Sequence, residues 1–181
     1  PSMEQNSKSA QGQDDRPIVL IGMMGVGKST VGRRLAARLG LPFVDADEEI
    51  AHAAGMSIPE IFARYGEEGF RDGERRVIAR LIEEGRKVIA TGGGAFINEQ
   101  TRTLILDRAI TIWLDADLDV LVERVSRREG RPLLEGKDSR KVLAELGAVR
   151  NPVYALAPHR IISGTGPHEQ TVEKIVETLS L

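Results

Sequence analysis

Apolar residues along this chain keep two rhythms. Short stretches at Ile18–Ile21, Phe43–Val44, Lys87–Ala90, Ala109–Leu114 and Arg160–Ile162 have the length and the Gly, Pro or Asp flanks of buried strands. Between them the spacing becomes helical. Val31, Leu35 and Leu39 recur every four residues among Arg33, Arg34 and Arg38, and Gly40 and Pro42 end the run. Helical segments are predicted around 48–54, 58–65 and 68–84, the last with Val77, Ile78, Leu81 and Ile82 on one face, and again near 99–107. Leu118, Leu121, Val122 and Val125 mark a further helix, and Val172, Ile175, Val176 and Leu179 the last. No element is predicted between 137 and 159. The alternation implies an α/β fold, a parallel sheet covered by helices on both sides, with ligands gathered at the carboxyl ends of the strands.

Composition narrows the class. A chain of 181 residues suits one domain with a proper core, and 25 Lys+Arg against 27 Asp+Glu gives no global reason to expect a nucleic-acid or membrane partner. With no cysteine there is neither a disulfide framework nor a thiolate metal site, which is compatible with a reducing cytosol. The longest apolar run, Ile18 to Val26, is too short to span a bilayer. Residues 1–16 are rich in Gln, Ser, Asp and Lys and lack the apolar segment of a signal peptide. They are expected to be a disordered lead-in to a single domain at 17–181.

The chemistry begins at the end of the first strand. Gly22-Met-Met-Gly-Val-Gly-Lys-Ser29 fits G-x-x-x-x-G-K-[ST], and it sits between a strand and a helix, as a phosphate-binding loop must. Backbone N–H groups of Gly25, Val26, Gly27 and Thr30 would cradle the phosphates of ATP, Lys28 would reach the β- and γ-phosphates, and Ser29 would hold Mg²⁺. A glycine-rich turn after a buried strand is the bland alternative. The N-K-x-D and D-x-x-G segments of a guanine-specific GTPase are absent. Polar residues instead close each successive strand, which favours a small-molecule kinase.

Asp45 and Asp47 lie two apart at a strand end, so extended backbone could turn both carboxylates to one site. Asp45 with Glu48 is equally a helix-starting D-x-x-E. Arg71 can form an ordinary surface pair with Glu67 one turn earlier. Gly92, Gly93 and Gly94 permit either a tight turn or close approach of backbone to a ligand. The basic, aperiodic stretch from Ser126 to Gly136 reads as a solvated loop or as a closing lid. His52, His159 and His168 lack metal-ligand spacing, and Trp113 reads as core.

Taken together, Gly22 to Thr30, Phe43-Val-Asp-Ala-Asp47, Phe70-Arg71 followed by Glu74, Gly92-Gly-Gly94, Arg131-Pro-Leu-Leu134 and Arg150-x-Pro-x-Tyr154 resemble the ordered motifs of the shikimate kinase family, from Ile18 to the C-terminus. The resemblance implies a three-layer P-loop kinase fold with a five-stranded parallel sheet of order 2-3-1-4-5, a substrate-binding helical insertion at about 45–75 and a mobile lid at about 126–137. It implies transfer of the ATP γ-phosphoryl group to the 3-hydroxyl of shikimate, in the route to chorismate and aromatic amino acids. By the same resemblance Asp47 contacts the shikimate hydroxyls and is the candidate base, and Asp45 helps hold Mg²⁺ through water. Arg71 and Arg150 bind the acid's carboxylate, Gly93 and Gly94 line its site, and Glu74 holds Arg71. Arg131 is the lid arginine that neutralises the phosphoryl in flight, and Arg124 stacks on adenine. A cytoplasmic monomer is expected, without nucleic-acid or membrane partners. Kinases of gluconate or nucleoside monophosphates, and a catalytically silent nucleotide binder, are the alternatives.

Overall fold

The architecture grows outward from one apolar strand. In the computed structural model, which describes residues 14–127 and 138–181, β1 (Ile18–Ile21) is buried along its whole length. An all-apolar strand of this kind must be covered on both faces and paired on both edges. β3 (Val88–Ala90) pairs with it on one side and β4 (Ile110–Asp115) on the other, all parallel, with Ile18 opposite both Val88 and Ile110. β2 (Phe43–Asp45) and β5 (His159–Ile162) complete the sheet in the order β2-β3-β1-β4-β5. This is the expected order, and it brings the loops after β1, β2 and β3 to one edge.

Helix boundaries follow local chemistry. α1 (Lys28–Leu39) starts after Gly27, which has φ 96° and offers no capping side chain, and stops at left-handed Gly40. No side chain thus caps the helix start, as suits an end that meets an anion. α2 (Ala46–Ala54) is capped by Asp45, whose carboxylate accepts from the N–H groups of Asp47 and Glu48. α3 (Ile58–Glu83) bends at Gly66, whose φ of 72° and ψ of −179° divide it into the two helical segments that the sequence predicts. A 3₁₀ turn (Ala95–Ile97), α4 (Glu99–Arg108), α5 (Leu118–Ser126), α6 (Ser139–Tyr154) and α7 (His168–Leu179) complete the chain.

α6 is the element that the pattern does not announce. It buries only Leu143 and Tyr154 along its length and carries Pro152 inside, so its apolar stripe is faint and contains a helix breaker. Tertiary contacts and the Asp138 cap sustain it, the cap accepting from Arg140 N at 3.0 Å. Residues 1–13 of the expected lead-in at 1–16, and residues 128–137 of the expected lid at about 126–137, Arg131 among them, lie outside the described residues. No described helix is long and apolar enough to cross a membrane.

Candidate active site

The loop between β1 and α1 folds round its own lysine. Lys28, the first residue of α1 and buried, donates from Nζ to the carbonyls of Gly22 and, at 3.1 Å, Met23. The loop, Asp45, Asp47, Thr91, Gly92 and Gly93 line one cavity of about 180 Å³. Beneath it Ser29 Oγ donates to Asp45 Oδ2 at 2.9 Å. The other oxygen of Asp45 accepts from Asp47 N at 2.9 Å, so this carboxylate both caps α2 and faces the phosphate loop. The two sequence readings of Asp45 are therefore compatible.

Asp47 requires a correction. It does not extend strand β2 but occupies the first turn of α2, because the Asp45 cap turns the chain into helix immediately after the strand. It still reaches the site: a Cβ added to Gly92 would lie 2.8 Å from its Oδ1. Burial raises the pKa of Asp47, as does the Asp45 charge, against the weaker pull of Lys28 and Arg71.

The three glycines after β3 each leave room for a different functional side chain. Gly92 faces Asp47, Gly93 faces Arg150 with Nη1 3.0 Å from where a Cβ would stand, and a Cβ on Gly94 would collide with the Arg71 guanidinium. Residues from α2, α3 and α6 thus converge on one loop at the carboxyl edge of the sheet. Arg71 is held by Glu74 at 2.8 Å, whereas its surface partner Glu67 stands at 3.9 Å. Glu74 is 1% exposed, and burial raises its pKa despite the Arg71 bond. The guanidinium also lies 5.1 Å from the centre of the Phe70 ring. Three constraints on one flexible side chain preset it for an anion.

On the opposite flank Arg124 donates to Val26 O at 2.7 Å and Gly164 O at 2.8 Å, joining the phosphate loop to the segment after β5. Thr91, a neighbour of the glycines, directs its hydroxyl to Leu20 O at 2.8 Å and so fastens β3 to β1. Sequence reasoning gave His168 and Tyr154 no role at the site and ranked Gly92 below Gly93 and Gly94. Gly92 was distinguishable from Gly93 and Gly94 only by its distance from Asp47. His168 packs on the phosphate loop, its Cε1 3.2 Å from where a Gly27 Cβ would be. Tyr154 directs its hydroxyl to the Gly93 carbonyl, and the only signal for that is its place four residues after Arg150.

A parallel sheet of this order, a phosphate loop after its central strand, and an acid and two arginines across the gap define a P-loop kinase of small molecules. The family model described as shikimate kinase matches residues 24–180. A shikimate kinase of Novosphingobium aromaticivorans is 59% identical over 168 residues, covering 91% of this chain and 87% of the relative. One from Zymomonas mobilis is 57% identical over 164 residues, covering 91% and 93%. The structure of Acinetobacter baumannii shikimate kinase in complex with shikimate superposes with a TM-score of 0.84 at 35% identity, covering 95% of this chain and 97% of that one. The chain belongs to the shikimate kinase family and is an ATP-dependent kinase.

Proposed function

We propose that this protein transfers the γ-phosphoryl group of ATP to the 3-hydroxyl of shikimate, giving shikimate 3-phosphate and ADP. The observation that carries this reading is the convergence of Asp47, Arg150 and Arg71 on three successive glycines. Two guanidinium groups suit a planar carboxylate, and a carboxylate beside them suits a hydroxyl. Phosphoryl transfer depends chiefly on positioning and charge stabilisation. Asp47 orients the hydroxyl and accepts its proton as the oxygen–phosphorus bond forms and the bond to ADP breaks. A carboxyl whose pKa is raised is a better matched base near neutral pH than an ordinary aspartate.

The nucleotide side belongs to Gly25, Val26, Gly27, Lys28, Ser29 and Thr30, with Arg124 beside the base. Ser29 Oγ and Asp45 Oδ2, 2.9 Å apart, form a hard oxygen set that fits Mg²⁺, which keeps most of its waters and needs few protein ligands. Bound there, Mg²⁺ would supply positive charge to the phosphates. Arg131 is assigned to the phosphoryl in flight on the strength of the sequence resemblance. The reading includes a monomer acting on a small-molecule acceptor.

The test is ADP release with Mg²⁺ and ATP against shikimate, quinate, gluconate and nucleoside monophosphates. Shikimate alone is expected to stimulate turnover, and Asp47→Asn to slow it by roughly 10²–10⁴-fold while ATP still binds. Preference for gluconate or a nucleotide would overturn the acceptor assignment. Undiminished turnover in Asp47→Asn would remove Asp47 from the mechanism.

A further inference from the structure

A run of three glycines has no side chain with which to fix its own peptide planes, so something outside the loop must do so. Tyr154 is placed for that task. It closes α6 with no exposure, and its hydroxyl donates to the Gly93 carbonyl. The ring rests against Trp113 of β4 with centroids 6.0 Å apart, so its position is set by the core and not by the loop. Arg150, one turn earlier on the same helix, faces the same glycine, its Nη1 occupying the space next to where a Cβ would stand. A buried phenol O–H must find an acceptor, and here it takes the carbonyl at the middle of the triplet.

The Gly93 carbonyl and the Gly94 N–H belong to one planar trans peptide and point in opposite directions. Holding the first towards α6 therefore aims the second away from it. We propose that Tyr154 is a positioning residue of the acceptor site, its hydroxyl locking the Gly93–Gly94 peptide so that the acid meets a preset N–H and a seated Arg150 guanidinium. The inference rests on the shikimate reading above. Burial raises the Tyr154 pKa even though the charges of Arg150 and Arg71 oppose the rise, so the phenol stays a donor at working pH.

Tyr154→Phe removes the hydroxyl and keeps the ring. Shikimate affinity, read from the fluorescence of Trp113, the sole tryptophan, is expected to fall on the order of ten-fold, because the peptide must then be ordered at the expense of binding. The KM for shikimate should rise equally, with kcat and the KM for ATP within about two-fold of wild type, as for a lost ground-state contact. Trp113→Phe, which loosens the packing behind the ring but leaves the hydroxyl, should lower the melting temperature without that change in KM. Equal weakening of both substrates, an unchanged shikimate KM, or a Tyr154→Phe chain that fails to fold would each overturn the proposal in favour of a purely structural tyrosine. Arg150→Ala is the reference: if it too leaves the shikimate KM unchanged, the acid-site reading fails and not the role of Tyr154 alone.

Discussion

Asp47 carries a conflict between stability and function in one side chain. Its folded-state pKa lies above the ordinary aspartate value because burial and Asp45 disfavour the charge. Over the pH window between the two values the folded form holds a proton that the unfolded chain has lost, so stability falls as pH rises through it. Asp47→Asn should therefore stabilise the ligand-free protein at neutral pH by roughly 0.5–2 kcal/mol, with the gain fading below the ordinary carboxylate range. Thermal melts of the two proteins from acid to neutral pH would check this. The same shift predicts an acidic limb in kcat/KM with its inflection above about 4, the usual aspartate value. How much of this was legible varies by residue. Lys28 and Ser29 could be read because a phosphate loop needs fixed spacing along a continuous backbone. The pairing of Glu74 with Arg71 was marked by resemblance. The hydroxyl of Tyr154 bonds a glycine far away in sequence, and no local pattern records such a bond.

Among the elements, strands and amphipathic helices were legible where one face alone meets the core. α6 was not, because it buries only two side chains along its length and its other core contacts, from Val142, Leu146 and Val153, are made by half-buried residues. Two glycines, Gly66 inside α3 and Gly92 after β3, make a useful contrast. Gly66 has open space where a Cβ would go but a φ of 72°, so Gly66→Ala strains only the backbone. It should cost about 1–3 kcal/mol in a denaturant titration and change substrate affinities only through the bend of α3. Gly92 has no positive φ but lacks space, with Asp47 Oδ1 2.8 Å from the added carbon. Gly92→Ala should leave the melting temperature nearly unchanged and depress turnover at least ten-fold by displacing Asp47, a loss of the kind that follows small misplacement of a reacting group. If Gly92→Ala lost stability and kept activity, the loop's tightness would be a matter of folding alone.

Across the whole molecule, the nucleotide flank depends on contacts between distant parts of the chain. Arg124 of α5 bonds Val26 in the phosphate loop and Gly164 after β5. Arg124→Ala should raise the KM for ATP on the order of ten-fold, as expected when charge-assisted bonds at a binding flank are lost, with a smaller effect on shikimate. Steady-state kinetics with each substrate varied would separate the two. The sheet order was legible only through the resemblance, because strand periodicity says nothing about which strand lies beside which. That order also bears on how the protein is made. β1 is synthesised well before its two neighbours, β3 and β4, and Gly22 is wedged against the Leu114 carbonyl of β4. A nascent chain halted on the ribosome before β4 emerges should have its entire nucleotide-binding motif exposed and yet retain no ATP.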